Sequence, residues 1–218
     1  MKIFDDLYVY PWLSYEANNC NTILIDGQTP ALIDPGHSRL FTHVLQGMAK
    51  DGKDINKIRM IICTHSHPDH IEAVERFEND VLKAIGKDEY AYLHDGGREL
   101  YMATGCALPK RPFALFLKEG TIGIGGKSFQ VIPTPGHSPG SICLYWKEKR
   151  TLISGDTLFY MGVGRTDLPG GDVKLLAGSI AKLAQLDIEY IIPGHGELIS
   201  GEKAIKKNFQ LIINELFA

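Results

Sequence analysis

The chain is predicted to be an α/β sandwich, with two β-sheets packed face to face and helices on the outside. Three observations predict this. Short apolar runs alternate with longer amphipathic stretches along the whole chain. A succession of sheet segments then helix occurs twice, in residues 1–83 and again in 127–218. No Ser/Gly linker or low-complexity segment separates the halves. A sheet with one apolar face must bury it against another layer, and two such halves satisfy each other back to back. Residues 1–218 are therefore expected to form one domain of two similar halves.

The elements are justified in chain order. Residues 8–10, 21–25 and 31–33 are short apolar runs bounded by turn residues, and they predict strands. Leu40, Val44, Leu45 and Met48 then recur at helical spacing within 38–50. Residues 58–63 are apolar apart from Arg59 and too short for a typical helix, so they predict a buried strand. Ile71, Val74, Val81 and Leu82 outline a helix after it. Residues 84–120 are the least regular: 90–93 reads as a strand, 99–102 as part of a helix, and 105–112 carries breakers. Further on, 129–132, 142–146, 151–154 and 190–192 are predicted strands. Val173, Leu176, Ile180 and Leu183 form a helical stripe with Asp172 as its N-cap. Ile205, Phe209, Ile212, Ile213 and Leu216 mark a last helix.

Composition narrows the function. Hydrophobic residues are 44% and charged residues 22%, which excludes disordered and collagen-like classes. Twenty-three basic against 26 acidic residues, with no basic stripe, exclude the usual footprint of nucleic-acid binding. No apolar run approaches the ~20 residues that span a bilayer. Asp5 and Asp6 stand where a signal peptide needs an apolar core. Cys20, Cys63, Cys106 and Cys143 form no Cys-x-x-Cys and read as reduced thiols, so a cytoplasmic protein is expected. A chain of this length needs no metal merely to fold, so any metal is expected to serve chemistry.

The informative residues stand directly after four of the predicted strands. Residues 61–63 lead into Thr64-His65-Ser66-His67-Pro68-Asp69-His70, residues 131–132 into Pro133-Thr134-Pro135-Gly136-His137, residues 152–154 into Gly155-Asp156, and residues 191–192 into Pro193-Gly194-His195-Gly196. Strands of shared orientation would bring these ends, with five histidines and two aspartates, to one edge of the core. Neutral imidazoles and carboxylates are the donors that zinc, iron and similar ions take. Three histidines and an acid within six residues are far from chance in a chain with 8 histidines. His65 and His67, two apart, can clasp one ion, and the adjacent Asp69 and His70 diverge from them. That divergence favours two neighbouring ions, which the two oxygens of Asp156 could bridge. His37 and His43 stay outside the set.

Thr-His-x-His-x-Asp-His, succeeded in order by Gly-His, Gly-Asp and Pro-Gly-His-Gly, resembles the metallo-β-lactamase-fold hydrolase superfamily, in particular its glyoxalase II-like (hydroxyacylglutathione hydrolase-like) branch. The resemblance implies an αββα four-layer sandwich with the site at one edge. It implies that His65, His67 and His137 hold a first ion, that Asp69, His70 and His195 hold a second, and that Asp156 bridges them. It also implies that Asp34 supports the 65–70 loop and that Asp69 has the catalytic proton-handling role. Zinc is the first expectation for both ions, with iron or manganese also suited to these donors. The segment from Gly164 to Asp172 resembles both glyoxalase II-like hydrolases and persulfide dioxygenases, and Arg165 with Asp167 is expected to form an ion pair within it. After His195 only 23 residues remain, so the glutathione-binding helical extension of full-length glyoxalase II is not expected here.

Such a site predicts a metallo-hydrolase of thioesters or esters. A hydroxide held between two cations is available near neutral pH. Two divalent ions against Asp69, Asp156 and one hydroxide leave roughly one net positive charge, which suits a small anionic substrate and its oxyanion. A thiolate of pKa about 8.5 leaves without a general acid, whereas an amide would need one. The alternative is a mononuclear iron persulfide dioxygenase of the same fold, using two histidines and Asp156.

Overall fold

The computed structural model describes residues 1–14 and 16–216, the Leu216 side chain excepted, so the predicted place of Leu216 in the last apolar stripe lies outside the described residues. One seven-stranded sheet runs in spatial order β1 (Lys2–Phe4), β2 (Leu7–Tyr10), β3 (Thr22–Ile25), β4 (Ala31–Ile33), β5 (Met60–Cys63), β6 (Leu82–Gly86) and β7 (Leu115–Leu117). It is antiparallel from β1 to β4 and parallel from β4 to β7. The second half supplies β8 (Gly120–Ile124), β9 (Lys127–Pro133), β10 (Ile142–Trp146), β11 (Thr151–Gly155), the hairpin of β12 (Leu158–Phe159) and β13 (Gly162–Val163), then β14 (Tyr190–Pro193) and β15 (Ile199–Ser200). Its six-stranded sheet is ordered β15-β14-β11-β10-β9-β8, with β11 and β14 parallel and the other pairs antiparallel.

Alternation of side chains along each strand sorts the core into layers. Leu7, Val9, Ile23, Ile25 and Ile62 of the first sheet meet Phe129, Leu144, Trp146, Ile153 and Ile192 of the second. Their neighbours Tyr8, Tyr10, Leu24, Ile61 and Cys63 point the other way, onto Val44 and Met48 of α1 (Thr42–Lys50) and onto Leu93 and Tyr101 of α3 (Lys87–His94) and α4 (Arg98–Thr104). On the far side Cys143, Tyr145, Leu152 and Ile191 pack on α5 (Val173–Leu183) and α6 (Glu202–Leu216). This is the four-layer αββα arrangement. Strands buried on both faces carry unbroken apolar runs, which is why 58–63 and 142–146 were legible. No helix among the described residues is long and apolar enough to cross a membrane.

Two predicted elements are corrected. The helix expected from Ile71 to Leu82 is a four-residue α2 (Pro68–Ile71) continued by a 3-10 turn, Glu72–Arg76, and Leu82 opens β6 instead. Lys83 hid that strand by breaking its apolar run. The residue is buried, with Nζ donating to the carbonyls of Glu78 and Val81 at 2.7 and 3.1 Å. Residues 90–93, expected as a strand, lie in α3, whose Glu89 and Leu93 occupy one buried face at i, i+4 spacing. A four-residue apolar run cannot by itself distinguish the two states.

Candidate metal centre

Strand direction gathers the candidate ligands. β4 and β5 run parallel, so Asp34 and the 64–70 loop leave at the same edge. β9, β11 and β14 share one direction in the other sheet, each being parallel to the next or separated from it by one antiparallel strand. Their ends deliver His137, Asp156 and His195 to that same edge. The two sheets are stitched there: Ile142 N–H donates to Thr64 O at 2.9 Å, and Asn21 Nδ2 donates to the carbonyls of Pro193 and Gly196, both at 3.0 Å. Gly194 lets the last ligand loop close in. A Cβ built on it would strike Asp156 Oδ1 and His70 Cε1.

All seven predicted ligands meet. Donor atoms of His65, His67 and His137 lie within 4.8 Å of one another, as do those of Asp69, His70 and His195, and those of His65, His70 and Asp156. Asp156 faces both groups: Oδ1 is 3.3 Å from His70 Nε2, and Oδ2 is 3.6 Å from His137 Nε2 and 3.4 Å from His195 Nε2. His65, His67, His70 and His137 are buried, and His195 stands at the mouth.

The surroundings commit one nitrogen of three rings and turn the other inward. His70 Nδ1 lies 3.0 Å from Asp34 Oδ2, an acceptor, so it carries the proton. His137 Nδ1 donates to the Arg165 carbonyl at 2.7 Å. Thr64 Oγ1 donates to Asp34 Oδ2 at 2.7 Å and can therefore accept from His65 Nδ1 at 3.1 Å. The Nε2 atoms of these rings are left facing the centre, the arrangement in which outer hydrogen bonds orient metal-binding imidazoles. His65 Nε2 and Asp156 Oδ1 are buried without a hydrogen-bond partner, and His67 turns Nδ1 toward His137 Nε2 at 2.9 Å. Buried polar atoms left unpaired are costly, and cations facing these donors would satisfy them. The donor set therefore fits divalent ions.

The electrostatics agree. Burial and the neighbouring His70 and His67 rings hold His65 well below the usual histidine range, and burial with His137 lowers His67 to about 3. Both rings stay neutral, the ligating form. Burial opposes charge on His70 and His195, but Asp156 and the other carboxylates outweigh it, raising His70 well above its ordinary value and His195 to about 9. Those two imidazoles in turn outweigh burial at Asp69 and Asp156, whose carboxyls are held below the usual range. Without ions, protons balance the buried carboxylates. Burial also pushes the Cys20 and Cys63 thiols well up, so neither is a ready thiolate.

Other residues reach the site that sequence reading did not single out. Asn18 donates from Nδ2 to Asp69 Oδ2 at 2.6 Å. Glu89, fully buried on α3, accepts from Ser66 N and Oγ at 2.7 and 2.5 Å, from Ser138 Oγ at 2.6 Å and from Gly140 N at 2.8 Å. It thereby clamps the loops bearing His67 and His137. Neither residue belongs to a spaced motif. The only signal for Glu89 was its place in an i, i+4 pair with Leu93. Arg165 and Asp167 form the expected ion pair, with two contacts of 2.7 and 2.6 Å. His94 packs on Tyr90 at 4.5 Å and belongs to none of these donor groups.

The comparisons with known proteins accord with this geometry. A probable metallo-hydrolase of Methanocaldococcus jannaschii is 35% identical over 82% of this chain and 88% of its own length. A hydroxyacylglutathione hydrolase of Haemophilus influenzae is 34% identical over 88% of this chain and 91% of its own. A protein solved in a di-iron-bound form is 32% identical with a TM-score of 0.70, over 92% of this chain and 95% of that one. Residues 15–195, from Asn18 at the rim through every candidate ligand, match the metallo-beta-lactamase superfamily, and the chain belongs to it.

Proposed function

We propose that the protein is a two-metal hydrolase of small thioesters or esters, with His65, His67 and His137 holding one ion, Asp69, His70 and His195 the other, and Asp156 between them. The observation that carries this reading is the position of Asp156 between the triads, with Oδ2 3.6 Å from His137 Nε2 of the first and 3.4 Å from His195 Nε2 of the second, and Oδ1 3.3 Å from His70 Nε2. Divalent ions held here would supply a water of pKa ~7 and polarise the substrate carbonyl. The side chains do the rest. Asp69, steadied by the Asn18 amide at 2.6 Å, presents a carboxylate at the open side of the site and can take the proton of the attacking water. Asp34 and the Arg165 carbonyl keep His70 and His137 in the tautomers that aim Nε2 inward. A thiolate or stable alkoxide departs without a proton donor, so thioesters and activated esters fit the site better than amides.

The 34% identity to a hydroxyacylglutathione hydrolase supports thioester chemistry. A single-iron oxygenase would leave Asp69 and His195 without a role, although their donor atoms lie within 4.8 Å of each other and of His70's, as those of the first triad do among themselves. Zinc is the ion we favour, and four free thiols accord with a cytoplasmic enzyme. Elemental analysis of the purified protein, paired with assays of thiol release and oxygen uptake, tests the reading. Two ions per chain with thiol release are expected. One iron with oxygen consumption would replace it with the dioxygenase.

A further inference from the structure

Two clefts meet at Asn18 and His195. The larger, about 620 Å³, is walled by Leu100, Phe159, Val163 and Leu168. The smaller, about 420 Å³, runs along Trp12 and Leu13 to Glu197. His67, Asp69, His137 and Asp156 line the larger cleft, and the smaller adjoins it across Asn18 and His195. A thioester has the same plan, a reacting carbonyl with an acyl arm on one side and a thiol arm on the other.

The charge on the walls discriminates among thioesters. Among the described residues lining either arm, Arg165 is the one lysine or arginine, and Asp167 already engages its Nε and Nη2 at 2.7 and 2.6 Å. The second arm carries the exposed carboxylate of Glu197. Its aromatic wall is fixed: Trp12 Nε1 donates to Ala17 O at 2.8 Å, and the ring stands edge-on to His43 at 5.0 Å. Glutathione brings two carboxylates, and recognition of carboxylates rests on unpaired cations or aligned donors. Facing Glu197 they would meet like charge instead. The four apolar side chains of the larger arm favour hydrocarbon over a hydroxylated acyl group, since Asn18 and Thr104 in the same arm already donate to Asp69 and to the Leu100 carbonyl and desolvating a hydroxyl without a free partner is costly.

Resting on the thioesterase reading above, we propose that the preferred substrate carries an apolar acyl chain in the arm walled by Leu100 and Leu168, and an uncharged thiol, not glutathione, in the arm of Trp12 and Glu197. The anionic character expected from the site's charge is then confined to the reacting carbonyl.

The test is a set of four thioesters, octanoyl and lactoyl, each on glutathione and on N-acetylcysteamine, assayed by thiol release with zinc-loaded protein. Octanoyl-N-acetylcysteamine is expected to exceed lactoylglutathione in kcat/KM by about tenfold or more. Glu197→Lys is expected to raise the glutathione thioesters about threefold relative to their N-acetylcysteamine counterparts, with the acyl preference unchanged. Calorimetric titration of the metal-free protein with non-hydrolysable S-(2-oxodecyl) derivatives of the two thiols is expected to give the same thiol order. A preference for lactoylglutathione would overturn this inference and leave the thioesterase reading standing. Absence of thiol release from all four thioesters would overturn both.

Discussion

His70 Nδ1 and Asp34 Oδ2 are 3.0 Å apart, both side chains fully buried, and this contact decides which nitrogen of the ring faces the ions. Asp34 holds a positive φ of 51°, and its carboxylate also accepts from Thr64 N and Oγ1, both at 2.7 Å. Asp34→Ala removes all three acceptor contacts and leaves buried donors unpaired. It is expected to weaken metal binding by about 10- to 100-fold and to cost the metal-free protein about 2–4 kcal/mol. Chelator competition reads the first and urea unfolding the second. Unchanged affinity in a folded variant would remove Asp34 from the site.

Glu89 is expected to matter for position and not for chemistry. Its carboxylate is shared by the 64–70 and 133–141 loops through Ser66, Ser138 and Gly140. Glu89→Gln keeps the volume but turns an amide toward N–H and O–H donors. Metal affinity and kcat are expected to fall together by about tenfold, with KM for a thioester little changed. A shift confined to KM would place Glu89 in substrate contact instead.

Most of the centre was legible in the sequence because each ligand comes after a short apolar run. The run buries itself in a sheet, and the breaker after it ends the strand where the chain must emerge. That rule brings His137, Asp156 and His195 to the 65–70 loop only where the strands share an orientation, which the parallel pairing of β11 with β14 and the antiparallel pairs on either side of β10 supply. The partners that aim the rings were less legible. A backbone carbonyl such as that of Arg165 has no sequence signature, and Asn18 and Glu89 act across separations of 51 residues (Asn18 to Asp69) and 23 residues (Glu89 to Ser66). The same limit governed the fold. Strands Met60–Cys63 and Ile142–Trp146 are apolar throughout, whereas β6 contains Lys83, whose burial depends on carbonyls supplied by the turn before it.

Two histidine variants separate ligand from bystander. His67 Nδ1 lies 2.9 Å from His137 Nε2, both in the first triad, whereas His94 packs on Tyr90 in α3. His67→Ala is expected to lose at least one ion per chain and more than ~10²-fold in kcat, the order of losing a principal electrostatic group. His94→Ala is expected to keep metal content and turnover. Mass spectrometry of the native protein counts the ions, and the reverse pattern would sink the ligand assignment.

Metal binding is expected to release protons. In the ion-free protein His195 is held protonated to about 9, because Asp156 and Asp69 outweigh its burial, and His70 is raised in the same sense. An ion can take those nitrogens only after the protons leave, so affinity rises with pH through about 9. Stability of the ion-free protein is governed by the same groups. Between about 6.5 and 9 the folded state holds a His195 proton that the unfolded chain releases, so this contribution is full below 6.5 and lost as pH rises through 9. His67 acts oppositely. With its folded pKa near 3, the unfolded chain takes up a proton below about 6.5 that the folded ring refuses, and stability falls as pH drops from there toward 3. The ion-free protein is thus expected to be most stable near pH 6.5, and the gain from added zinc to widen toward pH 9. Thermal melts in chelator and in zinc across pH 5 to 9, with calorimetry in buffers of different ionisation enthalpy to count protons, check both. A zinc-induced gain that shrinks with rising pH would show that His195 is not protonated in the ion-free state and that the second triad is organised differently.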